Sequence, residues 1–264
     1  MSAPVFLITA TVLQGVQVND EVVLTGPEGR HAVSALRINI GEVIELVDGN
    51  GLRARGTVAR ISGTDTLRMQ VTEIAVEQLS ALRITVVQAL PKVRHGELAV
   101  DLLTQVGVDA IVPWAATRSV TRWSPDRLEK ARAKWQGALT AAAKQSRRAR
   151  WPVLSELAST EVVAEMITGL IAGSGTAIVL HQAVLTPVLE VPIAGVGKPN
   201  DLVLIVGPEG GISDEERAIF RAAGAVEASL GPGVLRSSAA GAVAVAVLSA
   251  ARNWGRPDMG GSRL

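Results

Sequence analysis

The sequence predicts an α/β protein, with a small β-barrel at residues 1–76 and a larger parallel-sheet domain at residues 82–264. Residues 1–76 contain short alternating segments separated by turn residues, which is the pattern of a small all-β domain. From residue 82, near-continuous apolar strands alternate with helical segments, which indicates a parallel sheet covered on both faces. A chain of 264 residues accommodates two unequal domains.

The first domain is predicted to contain five strands and one helix. Asp48-Gly49 with Asn50-Gly51 is a hairpin signal, and a helix-like segment interrupts the strands from Pro27 to Ile38. The predicted strands are VFLITA (5–10), EVVLTG (21–26), GEVIELVDGNG (41–51), LRARGTVARIS (52–62) and TLRMQVTEIAV (66–76).

The second domain is predicted to alternate strands with helices. A long helix is expected to start with Ser124 as N-cap and Pro125 at its first position, and to run to about Arg147. Other helices are predicted at 95–108 and 159–172 and from Ser213 and Ser237, with strands at 82–90, 109–117, 176–182, 201–207 and 226–231.

Composition limits the kinds of chemistry that are possible. The hydrophobic content of 48% and mean hydropathy of +0.30 suffice for a packed core. Met166 to Leu189 lacks charged residues and is long enough to span a bilayer, but its glycines and proline favour a helix end, a turn and a buried strand. Cysteine is absent and the three histidines are far apart. This excludes disulfides, cysteine-based metal sites and covalent thiolate catalysis, disfavours zinc, and fits a cytoplasmic protein.

Positive charge is concentrated in one segment. The net charge is +1, but ten of the lysines and arginines lie between Arg118 and Arg150 with only two acidic residues. Such a segment fits nucleic-acid binding. A solvated helix face is an equally good interpretation of the charge alone.

A glycine-rich stretch follows one of the predicted strands. In LIVGPEGGISDEE (204–216), Ser213 and Glu216 have the spacing of a capping box, so the helix N–H groups are expected to be occupied. Glu209 and the acids of the first turn add negative charge, which disfavours phosphate. The loop therefore suits a neutral or cationic ligand such as S-adenosylmethionine, with Ile212 among the apolar residues available to enclose adenine. The alternative is a tight turn that binds nothing.

The letters GPEG also occur at residues 26–29. Both copies are predicted to be strand-to-helix turns, with glycine as cap, proline at the first helical position and glutamate in the first turn. Only the second copy has a further glycine and companion loops at 179–182 and 230–238, so one ligand site per subunit is expected.

The second glycine stretch and LGPGVLRSSAAGAVAVAVL (230–248) together resemble the SPOUT class of methyltransferases. More narrowly, the chain resembles the family that methylates N3 of a uracil in small-subunit (16S) ribosomal RNA. The resemblance extends to VQALPK (87–92), LLTQVGVDAIVPWAATRSV (102–120), AAKQSRRARWPVL (142–154) and HAVSALRINIGEVIELVDGNG (31–51).

The resemblance implies a fold, a cofactor and partners. It implies a PUA-like RNA-binding barrel and a C-terminal domain with a deep trefoil knot. It also implies a homodimer that acts, without a metal, on 16S rRNA within the small ribosomal subunit. It also implies that S-adenosylmethionine lies among three loops. The implied cofactor-binding residues are Leu180, His181, Gly207, Pro208, Glu209, Gly210, Leu230, Gly231, Val234, Leu235 and Ser237.

Methylation at N3 requires loss of a proton and control of the charge that develops on O2 and O4. Arg236, in the third loop, is the candidate catalytic donor; a helix-start salt bridge or a contact to an RNA phosphate are the other roles open to it. No residue is assigned as the base. The family commonly has Thr-Glu-Thr after this arginine, whereas this chain has Ser237-Ser238-Ala239, and Gly233 replaces a usual arginine.

The remaining expectation concerns RNA. Phosphate contacts are expected from His31, Arg37, Lys92, Arg118, Arg122, Lys144, Arg147 and Arg148, with Arg150 at the end of the basic segment. Two other functions stay open. One is a SPOUT enzyme that methylates ribose 2′-hydroxyls, and the other is a non-catalytic RNA-binding ribosome-assembly factor.

Overall fold

The computed structural model describes residues 3–80, 82–92, 95–193 and 200–251. The chain divides into two compact units. The first combines the residues up to Gln78 with Thr140–Trp151, and the second combines Leu79–Leu139 with the chain from Pro152 onward. The segment 140–151, which sequence analysis had assigned to the second domain, therefore packs with the first.

The first unit is a five-stranded sheet in the order β1-β3-β4-β5-β2. Strand β1 is parallel to β3, and the other pairs are antiparallel. The Asp48–Gly51 hairpin is confirmed, because β3 pairs with β4 across it and both glycines have positive φ. The strands are β1 Val5–Leu7, β2 Glu21–Leu24, β3 Val43–Val47, β4 Leu52–Ser62 and β5 Thr66–Val76, and the helices are α1 Ala10–Leu13 and α2 Gly26–Arg30, which continues into a π-helical turn at His31–Ala35.

The segment 140–151 is held to the first sheet by polar and apolar contacts. The Nζ atom of Lys144 lies 2.7 Å and 2.8 Å from the two carboxylate oxygens of Glu28. Ala149 is buried beside Val5 and Val47, and its N–H donates to the Glu77 carboxylate at 3.0 Å. This explains why a basic segment folds against a sheet rather than lying in solvent.

The second unit contains a six-stranded sheet in the order β11-β9-β10-β6-β7-β8, in which every pair is parallel. The α/β prediction is confirmed. The strands are β6 Leu82–Ala89, β7 Ala110–Trp114, β8 Val153–Leu154, β9 Thr176–Leu180, β10 Asn200–Val206 and β11 Val226–Ala228. The helices are α3 His95–Val106, α4 Leu128–Gln145, α5 Thr160–Ala172, α6 Asp214–Ala222 and α7 Ser237–Ala251, with a 3-10 turn at Val188–Glu190; the end of α4 belongs to the first unit.

Both faces of the parallel sheet are covered, as predicted. Gly241 of α7 packs within about van der Waals contact of Val86 and Val206, so that only a small residue fits there. On the other face, Val163 of α5 and Phe220 of α6 share a buried cluster with Val87. Consecutive strand residues point to opposite faces, which accounts for the continuous apolar strands.

One local prediction is confirmed and another needs adjustment. The stretch from Met166 is indeed a helix end, a turn and strand β9, and no helix among the residues with described structure is long and apolar enough to cross a membrane. The long helix, however, begins at Leu128. The N–H of Arg127 donates to the Ser124 carbonyl at 2.8 Å, so a separate turn precedes the helix.

Candidate functional site

Four neighbouring strands of the second unit end at one edge of the sheet. Val206 of β10 pairs in register with Leu180 of β9 and Gln88 of β6, and Leu180 pairs with Ala228 of β11. The loops after β9, β10 and β11 therefore leave the sheet side by side, where parallel sheets bind ligands. We name them the first loop (181–187), second loop (207–213) and third loop (229–236).

The second loop is a tight turn and not a helix start. Gly211 has φ +73° and its N–H donates to the Pro208 carbonyl at 2.9 Å, while the following helix begins only at Asp214, with Ser213 as N-cap. The prediction that this GPEG copy carries glycine as cap and proline at the first helical position is therefore wrong.

The first GPEG copy does start a helix. Its N-cap is Thr25 instead of the glycine, and Pro27 and Glu28 lie in the first turn of α2. The same four letters thus serve two structures, because the residues that follow them differ. Ser213 caps the later helix in one case, and no equivalent serine follows the other.

Glu209 joins the second loop to the chain after β6. Its Oε1 atom accepts a hydrogen bond from the Lys92 N–H at 3.1 Å and lies 3.4 Å from Nδ1 of His95. Partial burial raises the pKa of the Glu209 carboxyl, but hydrogen bonds from its own backbone and from Lys92, together with His95, outweigh burial and lower it. The loop therefore keeps a carboxylate that repels anions.

The capping box at the start of α6 is confirmed. Oγ of Ser213 accepts from the Glu216 N–H at 3.2 Å, and the Glu216 carboxylate accepts from the Ser213 N–H at 2.9 Å. The same carboxylate also accepts from the Thr117 N–H at 2.7 Å and the Thr160 hydroxyl at 3.3 Å. Burial raises the pKa of Glu216, but these hydrogen bonds outweigh it and lower the pKa. The helix N-terminus is thus already satisfied internally.

Two glycines of the second loop lie too close to other residues to carry a side chain without a shift. A Cβ on Gly210 would lie 3.2 Å from both the carbonyl oxygen and Cβ of Arg118, and a Cβ on Gly207 would lie 2.6 Å from Cγ1 of Ile212. Ile212 is buried in the core, so it supports the loop from below and does not line a ligand surface.

We expect Gly207→Ala to destabilise the protein by about 1–3 kcal/mol, because Ile212 must move within a packed core. Urea unfolding measures the change. Gly233→Ala is the matched control, since among the described residues no atom beyond its two chain neighbours lies within 4 Å of its Cβ position, and a change within about 0.5 kcal/mol is expected there. Equal costs at both positions would contradict the steric explanation.

The first loop starts beside a bidentate ion pair. Arg217 donates from Nε and Nη2 to the two Glu227 oxygens, each at 2.8 Å. Leu180 and His181 are half-buried. Burial and the nearby Arg217 lower the pKa of His181, although Glu227 and Asp214 oppose them. The imidazole is therefore neutral at pH 7.

The third loop presents apolar side chains to solvent. Val234 is 75% exposed and Leu235 40% exposed, while Leu230 is half-buried and Gly231 has φ +125°. Exposed branched side chains next to a glycine-rich turn provide a surface for a flat apolar group. Their assignment as cofactor-binding residues stays a prediction.

Arg236 and Ser237 end the third loop in different environments. The Arg236 side chain is exposed and makes no ion pair or hydrogen bond with any residue of known position in this structure. Ser237 is 7% exposed, and its hydroxyl donates to the Gly207 carbonyl at 2.6 Å. The salt bridge considered for Arg236 is thus not formed within the described chain.

Gln88 is a site residue that sequence reasoning did not single out. Its buried amide donates to Ser237 Oγ at 3.1 Å. The detectable signal was a single polar residue near the end of the apolar strand ITVVQAL. The hydrogen bond from the Thr117 N–H to the Glu216 carboxylate was also missed, because only the capping-box spacing is visible in the sequence.

In the second unit, the candidate RNA-contacting residues Lys92, Arg118 and Arg122 are exposed. The Arg122 guanidinium donates to the Thr117 carbonyl at 3.3 Å, and the backbone of Arg118 backs Gly210. These cations therefore adjoin the second loop and α6.

In the first unit, His31, Arg37 and Arg147 are exposed, and both arginines have positive φ. Arg148 is half-buried. Lys144 is occupied by Glu28, and the Arg150 guanidinium donates to the Glu77 carbonyl at 3.1 Å. The latter two side chains hold segment 140–151 in place. Among described residues, no group of three or more metal-binding side chains is found.

The parallel sheet with its shared loop edge defines a ligand-binding α/β domain, joined to a small β domain. Comparison with known families matches residues 78–249 to the RNA methyltransferase domain and residues 24–68 to the RNA methyltransferase PUA domain. The chain belongs to the RNA methyltransferase family. The predicted family and PUA-like domain are confirmed, and the trefoil knot stays a prediction.

Relatives support the same family. The chain is 40% identical over 223 residues to ribosomal RNA small subunit methyltransferase E of Mycobacterium bovis, covering 84% of each chain. It is 31% identical over 233 residues to the Synechocystis protein of the same name, covering 87% of this chain and 73% of that one.

Solved structures share the fold. The Neisseria gonorrhoeae ribosomal RNA small subunit methyltransferase E bound to S-adenosyl methionine is 22% identical, with a TM-score of 0.80 over 95% of this chain and 98% of the other. A Legionella pneumophila protein in complex with the bound cofactor SAM is 24% identical, with a TM-score of 0.79 over the same shares.

Proposed function

We propose that this protein transfers the methyl group of S-adenosylmethionine to N3 of a specific uridine in 16S ribosomal RNA. The observation that carries the proposal is the shared edge of the sheet, where three loops meet beside an internally capped helix. The similarity to ribosomal RNA small subunit methyltransferases E supports the substrate.

The loops suit this cofactor chemically. The second loop offers close backbone approach at Gly210, a carboxylate at Glu209 and a helix N-terminus with occupied donors. A phosphate-bearing nucleotide would meet negative charge there, whereas a phosphate-free nucleoside with a sulfonium cation would not. The cofactor supplies an electrophilic methyl group. The residues proposed to hold it are Leu180, His181, Gly207, Pro208, Glu209, Gly210, Leu230, Gly231, Val234 and Leu235, with Ser237 supporting them.

The uridine must lose its N3 proton, and negative charge then develops on O2 and O4. Arg236 is an exposed cation at the end of the third loop without a partner among the described residues, so its guanidinium is available to stabilise that charge. The base that takes the proton is not assigned to a residue. Holding the uridine against the methyl group is expected to lower the barrier further.

Two partners are proposed, RNA from the exposed positive charge and a second copy of the chain from the uncharged helix α7. We propose that exposed arginines of both units contact RNA phosphates and that the substrate is 16S rRNA within the small subunit, in the cytoplasm. Helix α7 contains no charged residue. It buries Leu248 yet leaves Val243 37% exposed, so a second copy of the chain would cover this face in a two-fold dimer.

A single assay tests the activity. Purified protein and labelled S-adenosylmethionine are incubated with undermethylated small subunits, naked 16S rRNA and tRNA, and the product nucleoside is identified by mass spectrometry. The expected product is 3-methyluridine in 16S rRNA. A 2′-O-methyl nucleoside would establish the ribose methyltransferase instead. RNA binding without any methylated product would favour the assembly factor.

The contribution of Arg118 to RNA affinity is tested by salt dependence. We expect Arg118→Gln to reduce the slope of log affinity against log salt concentration by about 0.7–0.9, the value for one lost phosphate contact. Arg83→Gln, which removes an arginine paired with Asp201 at the start of the strands, should leave the slope unchanged. Equal slopes for Arg118→Gln and wild type would exclude a phosphate contact.

A further inference from the structure

A chain of hydrogen bonds connects the end of β6 with the second and third loops. The Gln88 amide donates to Ser237 Oγ at 3.1 Å, and the Ser237 hydroxyl donates to the Gly207 carbonyl at 2.6 Å. Gly207 directly follows Val206, the residue that pairs with Gln88 in the sheet. The three groups thus link two adjacent strand ends to the start of α7.

The direction of these hydrogen bonds is fixed by chemistry. A carbonyl can only accept, so Ser237 gives its one proton to Gly207 and must accept from Gln88. The Gln88 amide nitrogen also lies 3.1 Å from the Ala89 carbonyl, another group that can only accept. Gln88 therefore presents its amide nitrogen to both groups, and a flipped amide would place two acceptors together.

The remaining atom of the amide marks Gln88 as more than a packing residue. Its Oε1 is buried and has no partner among the described residues. An unsatisfied buried oxygen is unfavourable, so an apolar residue of similar size would suit stability better. Polar groups that cost stability concentrate at functional sites.

The third loop depends on this anchor. Residues 231–236 are all exposed and so gain little from packing. Before them, Ser229 is held to Thr186 and Val188 by backbone hydrogen bonds of 2.8 Å and 2.9 Å. After them, Ser237 is the first buried residue. The hydroxyl of Ser237 therefore sets where Val234, Leu235 and Arg236 lie relative to the second loop.

We propose that Gln88 is a positioning residue for methyl transfer. It orients the Ser237 hydroxyl onto the Gly207 carbonyl and so fixes the third loop against the second in the geometry that binds S-adenosylmethionine. This inference rests on the proposed function, because it concerns the same cofactor site. Ser237 acts through its position, since its proton is used within the protein.

Three variants test the inference by calorimetric titration with S-adenosylmethionine and by urea unfolding. Gln88→Met keeps the volume and removes the amide, Ser237→Ala removes the hydroxyl, and the double variant removes both. We expect each single variant to weaken cofactor binding about tenfold. The double variant should be no weaker than the worse single one, because the groups act as one chain.

Stability separates positioning from a structural role. Gln88→Met removes the unpartnered oxygen together with two donated hydrogen bonds, so these opposing effects should leave its urea midpoint close to that of wild type while cofactor affinity falls. Thr104→Val is the control, because it removes a buried hydroxyl that bonds within α3 at 2.7 Å and should leave affinity unchanged. Should Gln88→Met not fold, Ser237→Ala and Gln88→Glu, which replaces the donor with a carboxylate, provide the same comparison.

Two results would overturn the inference. One is an unchanged cofactor affinity in folded Gln88→Met and Ser237→Ala. The other is a double variant whose fold-loss of affinity equals the product of the two single losses. A wild-type protein that binds no S-adenosylmethionine would instead contradict the proposed function, whereas a 2′-O-methyl product in the methylation assay would contradict only its N3 specificity. Wild-type binding with unaffected variants would leave the function standing and remove only the role of Gln88.

Discussion

Replacing Arg236 with alanine is expected to lower turnover about 100-fold or more, the usual effect of removing a group that stabilises developing negative charge. The affinity for the cofactor should stay within about twofold of the wild-type value. The exposed Arg236 guanidinium has no partner among the described residues, so its removal should not disturb the loop. Single-turnover methylation of small subunits gives the rate, and calorimetry gives the affinity for S-adenosylmethionine.

The matched control is Arg83→Ala. It removes the same charge at the opposite edge of the sheet, where Arg83 pairs with Asp201, and it should leave turnover unchanged. Arg236→Lys keeps a cation but loses the forked donor geometry, so partial activity is expected. Unchanged turnover in Arg236→Ala would remove Arg236 from the catalytic mechanism. A parallel loss of RNA affinity would assign it to phosphate contact instead.

Replacing Glu216 with alanine is expected to cost about 3–5 kcal/mol of unfolding free energy, as when one partner of a buried charged network is removed. The carboxylate is 2% exposed and accepts from Thr117, Ser213 and Thr160. Its loss leaves those donors without an acceptor. Urea denaturation at pH 7 measures the effect.

The lowered pKa of Glu216 makes the difference in unfolding free energy between wild type and Glu216→Ala depend on pH. Because the carboxyl pKa in the folded protein lies below the ordinary value of 4.5, its stabilising contribution is complete above pH 4.5 and is lost as pH falls through the folded pKa. The gap between wild type and Glu216→Ala should therefore narrow in acid. Glu215→Ala, an exposed neighbour in the same turn, should cost less than about 1 kcal/mol. A gap that widens in acid would contradict this account.

Regular elements were predictable because their signals are local. The S-x-x-E spacing specified the start of α6, and near-continuous apolar strands specified a parallel sheet. The start of α4 was not predictable, since a turn at residues 125–127 competes with the capping signal of Ser124. Strand β8 has only two residues, too few to carry a periodic pattern.

Contacts between distant residues were beyond sequence reasoning. Glu28 and Glu209 were both interpreted as first-turn helix residues, but each reaches a distant part of its own unit, Lys144 in one case and Lys92 in the other. The strand pattern located the three loops and the resemblance assigned them to the cofactor, whereas only the fold shows that Ser237 is buried and Arg236 exposed. Local preference cannot reveal which partner a side chain reaches.

The bond between Gln88 and Ser237 joins residues 149 positions apart. Sites with such separation form slowly, because a long loop must close before the contact stabilises anything. Synthesis proceeds from the N-terminus, so the strand that carries Gln88 exists long before the residue it must hold. The proposed cofactor site is therefore completed only after Ser237 has been synthesised, and a nascent chain that stops before this residue lacks the hydroxyl that joins the third loop to the second.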